Sequence, residues 1–80
     1  MEPAEWIRAL GAKIKAARKG RFIKQAGVAE LTGISKDRYW RIENGRTCPS
    51  VFELQKIADE LRVEYDSLIP DDLVPKAEAS

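Results

Sequence analysis

Five polar or aromatic residues recur on one side of a short segment that begins at Ser35. At about 100° per residue, Lys36, Asp37, Trp40, Arg41 and Asn44 fan across one face of a helix, with Tyr39 and Ile42 opposite. Arg38 and Glu43 lie on the flanks. Lysine and arginine can pair with guanine O6 and N7, so Lys36 and Arg41 are candidate readers of base edges. Asp37 can accept from cytosine N4, or it can favour the helix from its first turn near the positive dipole end. Trp40 has three open readings: contact with a thymine methyl or sugar, sideways packing on the loop near Arg46, or a hot spot for another protein.

What the chain lacks narrows the chemistry. It has no histidine and one cysteine, Cys48, so a zinc site has no ligand set and no internal disulfide can form. A nucleophile, base and orienter cannot be assembled from these residues, and no Gly-rich phosphate loop occurs. An enzyme is not expected, nor is a cofactor or metal. No apolar run is long enough to cross a bilayer, and the acidic first residues are unlike a signal peptide, so a cytoplasmic protein without membrane partners is expected. The net charge of +1 hides a division along the chain. Residues 8–46 hold eleven Lys/Arg against Glu30, Asp37 and Glu43, or +8, whereas residues 47–80 carry −5. A positive half of this kind can meet a polyanion, although charge segregation also occurs on ordinary solvated surfaces.

These side chains need a frame, and every strong signal for one is helical, with no period-two alternation. The length suits one small domain with a modest core. The first helix is expected over about Ala4 to Arg18, with Trp6, Ile7, Leu10, Ile14 and Ala17 on one stripe. Pro3 suits its start and Gly20 its end. The second covers about Lys24 to Thr32, with Val28 and Ala29 inward. Ala29 stands four residues before Gly33, and Ile34 follows at once, which suits two helices crossing steeply over a tight turn with φ > 0 at the glycine. The third helix starts from Ser35 as N-cap and runs to about Asn44. Ser50 and Glu53 have capping-box spacing and open a fourth helix, whose apolar face is read as Phe52, Leu54, Ile57, Ala58 and Leu61. A short fifth helix around Glu64 to Leu68 closes a domain of residues 1–69 with Val63, Leu68 and Ile69. Residues 70–80 are acidic and proline-broken, which predicts a flexible tail.

With these residues in view, the chain resembles the Cro/C1-type (XRE) helix-turn-helix regulators over roughly residues 7 to 69, without a gap. The resemblance is carried by Ile14, Arg18, Gln25, Val28, Ala29, Gly33, Ile34, Ser35, Ile42, Glu43, Asn44, Gly45, Pro49, Ser50, Ile57, Ala58, Leu61, Val63 and Leu68. It implies an all-α, compact five-helix lambda-repressor-like domain with the helix-turn-helix at helices 2 and 3. It also implies a transcriptional regulator, repressor or controller, that binds double-stranded DNA at a palindromic operator as a homodimer. Helix 3 would lie in the major groove, with Lys36, Asp37 and Arg41 at positions that reach base edges, and Trp40 on the same face. Gln25 matches a phosphate-touching position, and Arg38, Asn44 and Arg46 match positions that meet the sugar-phosphate backbone. Arg18 and Glu43 match a structural salt bridge, and Tyr65, Leu68 and Ile69 the dimer interface. The chain departs from the family pattern at Phe22, where glycine is usual, at Lys24 in place of a Ser/Thr cap, and at Leu31 and Thr32. The competing reading is a protein-interaction module of the same fold, antitoxin-like or a bridging partner, to which Trp40 and the acidic half lend weight.

Overall fold

Helix formation follows the sequence punctuation closely, and five helices occupy the part of the chain, residues 2–70, that this computed structural model describes. Helix α1 (Pro3–Gly20) has proline at its first turn and buries Leu10 and Ile14 along its apolar stripe. It runs two residues beyond the predicted end, because the amides of Arg21 and Phe22 still bond back to Arg18 and Lys19. Helix α2 (Gln25–Thr32) starts after Lys24, whose side chain forms no cap, and ends at Gly33 with φ 75°. The amides of Gly33 and Ile34 return to the carbonyls of Glu30 and Ala29 at 3.3 and 3.1 Å, closing the left-handed helix end that makes the turn. Helix α3 (Lys36–Glu43) begins where the Ser35 hydroxyl accepts the Arg38 amide at 3.1 Å.

Helix α4 (Val51–Leu61) carries the expected capping box: Ser50 Oγ accepts the Glu53 amide, and Glu53 Oε1 accepts the Ser50 amide at 2.8 Å. Its buried face is Leu54, Ile57, Ala58 and Leu61, without Phe52, which is 80% exposed. The helical wheel explains this correction, since Phe52 lies about half a turn from the centre of that stripe. Helix α5 (Tyr65–Leu68) packs on α4 and α1. The remaining contacts join both α1 and α2 to α3 and α4, around one core that includes Tyr39, Ile42 and Ile57.

Two close approaches set the angle at which α3 is held. Gly11 is buried, and a Cβ there would lie 2.5 Å from the Ile42 carbonyl oxygen and 2.6 Å from that of Glu43. The end of α3 therefore rests directly on the backbone of α1. Thr32, an unusual residue for its position, is buried but turns its hydroxyl onto the Val28 carbonyl at 2.8 Å, so no polar atom is stranded. Leu31 beside it is exposed. Phe22 adopts φ 58° and is 94% exposed, so the backbone keeps a conformation suited to glycine and the phenyl ring contributes no burial in return.

Two expectations about the C-terminal part change. Leu68 is 1% exposed and completes the monomer core, so it offers no surface to a partner, whereas Tyr65 and Ile69 are half-buried. Pro70 is itself buried, and the rest of the predicted tail lies outside the described residues. Gly11→Ala is expected to destabilise the fold by about 3 kcal/mol, since backbone must move to admit the methyl group. Urea unfolding checks this, and a change below 0.5 kcal/mol, the scale of an ordinary surface substitution, would contradict the contact.

Candidate nucleic-acid interface

The site starts with what fastens α3. Arg18 on α1 donates from Nε to Glu43 Oε2 at 2.6 Å and from Nη2 to Oε1 at 3.1 Å. Its Nη1 donates to the Ile23 carbonyl at 2.8 Å, which ties in the α1–α2 loop. Gln25, at the first turn of α2, donates to Glu43 Oε1 at 3.0 Å. The Glu43 side chain is fully buried and that of Arg18 is 10% exposed. Burial alone would raise the Glu43 carboxyl, but the Arg18 and Gln25 hydrogen bonds outweigh it and hold it below the usual carboxylate range. The same hydrogen bond holds the Arg18 guanidinium above its ordinary value. Tyr39 is entirely buried beside this pair, and its hydroxyl reaches no partner in hydrogen-bonding geometry; burial pushes the phenol far up.

A second lock holds the other end of α3. Arg38 donates from Nε and Nη2 to the Glu53 carboxylate at 2.6 and 2.7 Å, joining α3 to the first turn of α4. Arg38, expected on the sugar-phosphate backbone, is thus committed to the protein's own frame. Its hydrogen bond brings the Glu53 carboxyl down to about 2, helped by the Ser50 amide. Sequence reasoning saw Glu53 only as a cap. No spacing rule links residues 38 and 53, and the pairing exists only because α3 and α4 meet.

Between these locks, the outer face of α3 is open. Lys36, Asp37, Trp40, Arg41 and Asn44 are all exposed, Trp40 at 45%. Arg41 Nη2 lies 2.8 Å from Asp37 Oδ2, one helical turn back, with both side chains largely in solvent. Asn44 turns its amide onto the Trp40 carbonyl at 2.9 Å and caps the helix end, leaving one N–H of that amide uncommitted. Gln25 likewise spends one N–H on Glu43 and keeps a second. Arg46 is exposed beyond Gly45, whose φ of 70° turns the chain away. Of the predicted contact residues, Lys36, Asp37, Trp40, Arg41, Asn44 and Arg46 are exposed and Gln25 is half-buried, whereas Arg38 is engaged by Glu53; Arg18 is buried against Glu43, as expected of the structural pair. Sequence reasoning missed Arg21, which donates to the Leu61 and Arg62 carbonyls at 3.0 Å and places a cation at the C-terminal end of α4. It also missed Gly11, although its spacing from Ile7 and Ile14 put it on the core stripe. Among the described residues there is no group of His, Cys, Asp and Glu that could hold a metal ion, and no helix long and apolar enough to cross a membrane.

A family model described as Helix-turn-helix matches residues 14–68. The chain is 37% identical over 70 residues to the uncharacterized HTH-type transcriptional regulator YazB of Bacillus subtilis, spanning 88% of this chain and 96% of that protein. It is 39% identical over 59 residues to the ImmF control region 10 kDa protein of Bacillus phage phi105, spanning 74% and 66% respectively. Among solved structures it is similar to an HTH_3 family transcriptional regulator from Vibrio cholerae, with TM-score 0.77 at 28% identity over 84% of this chain and 38% of that one.

The two locks differ in what they should do on titration. Arg18→Met strands a buried carboxylate and is expected to cost about 3 kcal/mol at neutral pH, by chemical denaturation. That loss shrinks in acid, where Glu43 can take up a proton; an unchanged denaturation midpoint at neutral pH would contradict the pair. Glu53 has a folded pKa of about 2 against an ordinary 4.5. Its stabilisation is fully present above about 4.5 and is lost as pH falls through about 2. The denaturation midpoints of Glu53→Gln and the unaltered protein should accordingly converge as pH is lowered across that window, and a constant gap would contradict the assignment.

Proposed function

This chain belongs to the Cro/C1-type (XRE) helix-turn-helix family of DNA-binding transcriptional regulators, and from that premise we propose that it binds a palindromic operator as a homodimer, as a repressor or controller. The observation that carries the reading is the open face of α3, presented between two ion-pair locks that keep the helix in place. A major groove about 12 Å wide admits such a helix. Members of this family are regulators, not enzymes, and the catalytic constellation excluded by composition is not needed.

In the proposed complex, Lys36, Trp40 and Arg41 meet base edges, with Asp37 on the same face beside Arg41. Gln25 and Asn44 present their remaining amide hydrogens to the sugar-phosphate backbone, and Arg46 reaches it from the following loop. Arg38 takes no part, because its guanidinium is held by Glu53. One small domain covers too few base pairs for strong selectivity, so a two-fold pair with recognition helices about 34–36 Å apart is required. Tyr65 and Ile69 are the residues of the fifth helix and its end that keep surface available for that pairing. The location that follows is the cytoplasm, with the DNA.

Selection of bound sites from a random duplex pool tests binding, symmetry and half-site spacing together. Arg41→Ala is expected to cost about 1–3 kcal/mol and to relax preference at one base pair, whereas Arg46→Ala should weaken all sequences alike and lower the salt slope by about one. An equal loss on every sequence for Arg41→Ala would make Arg41 a phosphate contact. No retarded complex at low salt would favour the protein-interaction reading instead.

A further inference from the structure

The Asp37–Arg41 ion pair sits in the middle of the face assigned to DNA, and its chemistry is at odds with a surface built only to attract phosphates. A carboxylate there opposes the duplex charge, and an exposed pair one helical turn apart adds little to folding. The other two arginine–carboxylate pairs among the described residues are structural: they join different helices and are partly or wholly buried. This pair joins nothing. Its residues lie on one helix, side chains 79% and 48% exposed, with Lys36 and Trp40 exposed beside them.

We propose that Asp37 is a positioning residue that fixes the Arg41 guanidinium for bidentate recognition of a guanine, and that it narrows specificity while lowering general affinity for DNA. This rests on the groove-facing reading of α3 given above. An arginine side chain in water samples many rotamers, and ordering it on a base opposes binding. Asp37 Oδ2, 2.8 Å from Nη2, takes up one edge of the guanidinium before DNA arrives. The donors that remain are enough for guanine O6 and N7. Inside the groove water is displaced and the pair strengthens, since its attraction is no longer screened by bulk solvent. On a mismatched base pair Arg41 loses its acceptors, and the Asp37 charge is then left facing phosphates with nothing gained. Negative charge in the interface thus acts against the wrong partner as much as for the right one.

The test uses the whole chain and the operator selected by the unaltered protein, with binding measured by fluorescence anisotropy on the operator, on single-base variants and on random duplex. Asp37→Asn is expected to lose roughly tenfold in discrimination at the base pair read by Arg41. Its affinity for random duplex at low salt should rise roughly two- to fivefold, as one repulsive charge is removed. Asp37→Glu, which can still pair one turn away, should restore much of the discrimination. In an Arg41→Ala background, Asp37→Asn should change preference at that base pair no further. Circular dichroism should be unaltered throughout, which separates this effect from loss of helix. Three results would overturn the inference: discrimination unchanged in Asp37→Asn, its loss at a neighbouring C·G pair instead, or equal effects of Asp37→Asn with and without Arg41. Failure of the unaltered protein to select any site would instead remove the groove reading itself.

Discussion

The buried ion pair between Arg18 and Glu43 is the constraint on which the rest of the structure depends. It fastens the end of one helix to the end of another and draws the intervening loop and the start of α2 onto the same carboxylate. Removing two charges from water is costly, and only near-complete hydrogen bonding offsets it. Here the Glu43 oxygens receive three donors, and the arginine spends a further N–H on a backbone carbonyl. The arrangement of α1, α2 and α3 can therefore be held by a pair whose geometry tolerates little slack. Gly11 completes the arrangement, because α1 can bring Arg18 into reach only if the α3 carbonyls lie against its own backbone.

Six cations of the positive half fall accordingly into three kinds. Arg18 and Arg38 are struts, each gripping a glutamate on another helix. Arg21 closes the C-terminal end of α4 by binding two carbonyl oxygens. Lys36 and Arg46 extend into solvent, and Arg41 is held only by a carboxylate on its own helix. The summed charge of residues 8–46 is thus a poor measure of what faces a polyanion, since two of its arginines are paired with glutamates of other helices. Lys36, Arg41 and Arg46 bring exposed charge to α3 and the turn after it, while Arg8, Lys19 and Lys24 are exposed on α1 and just before α2.

Local signals were read well wherever one segment contains the whole reason for its shape. Ser35 caps α3, the Ser50–Glu53 box opens α4 and Gly33 turns left-handed, each by hydrogen bonds spanning at most five residues. Even the unusual Phe22 shows the backbone overriding its side chain. The loop keeps φ 58°, a conformation worth about 1 kcal/mol or more of strain in a residue with a Cβ, because Arg18 holds the next carbonyl in place. Residue type misleads where it conflicts with the residue's angle on the helix. Phe52 is apolar, but its position on the wheel points away from Leu54, Ile57 and Leu61, and it is exposed.

By itself, then, the sequence determined five helices, their caps and turns, the family, and which side of α3 carries polar groups. Those features depend on periodicity and on contacts within a few residues, which a linear string displays. Tertiary structure alone decided that Arg38 pairs with Glu53 of another helix, that Leu68 is buried in the monomer core, and that Gly11 is a contact surface. Each of those outcomes depends on the distance between segments far apart in the chain, and that distance is a property of packing, which no residue's type or spacing records.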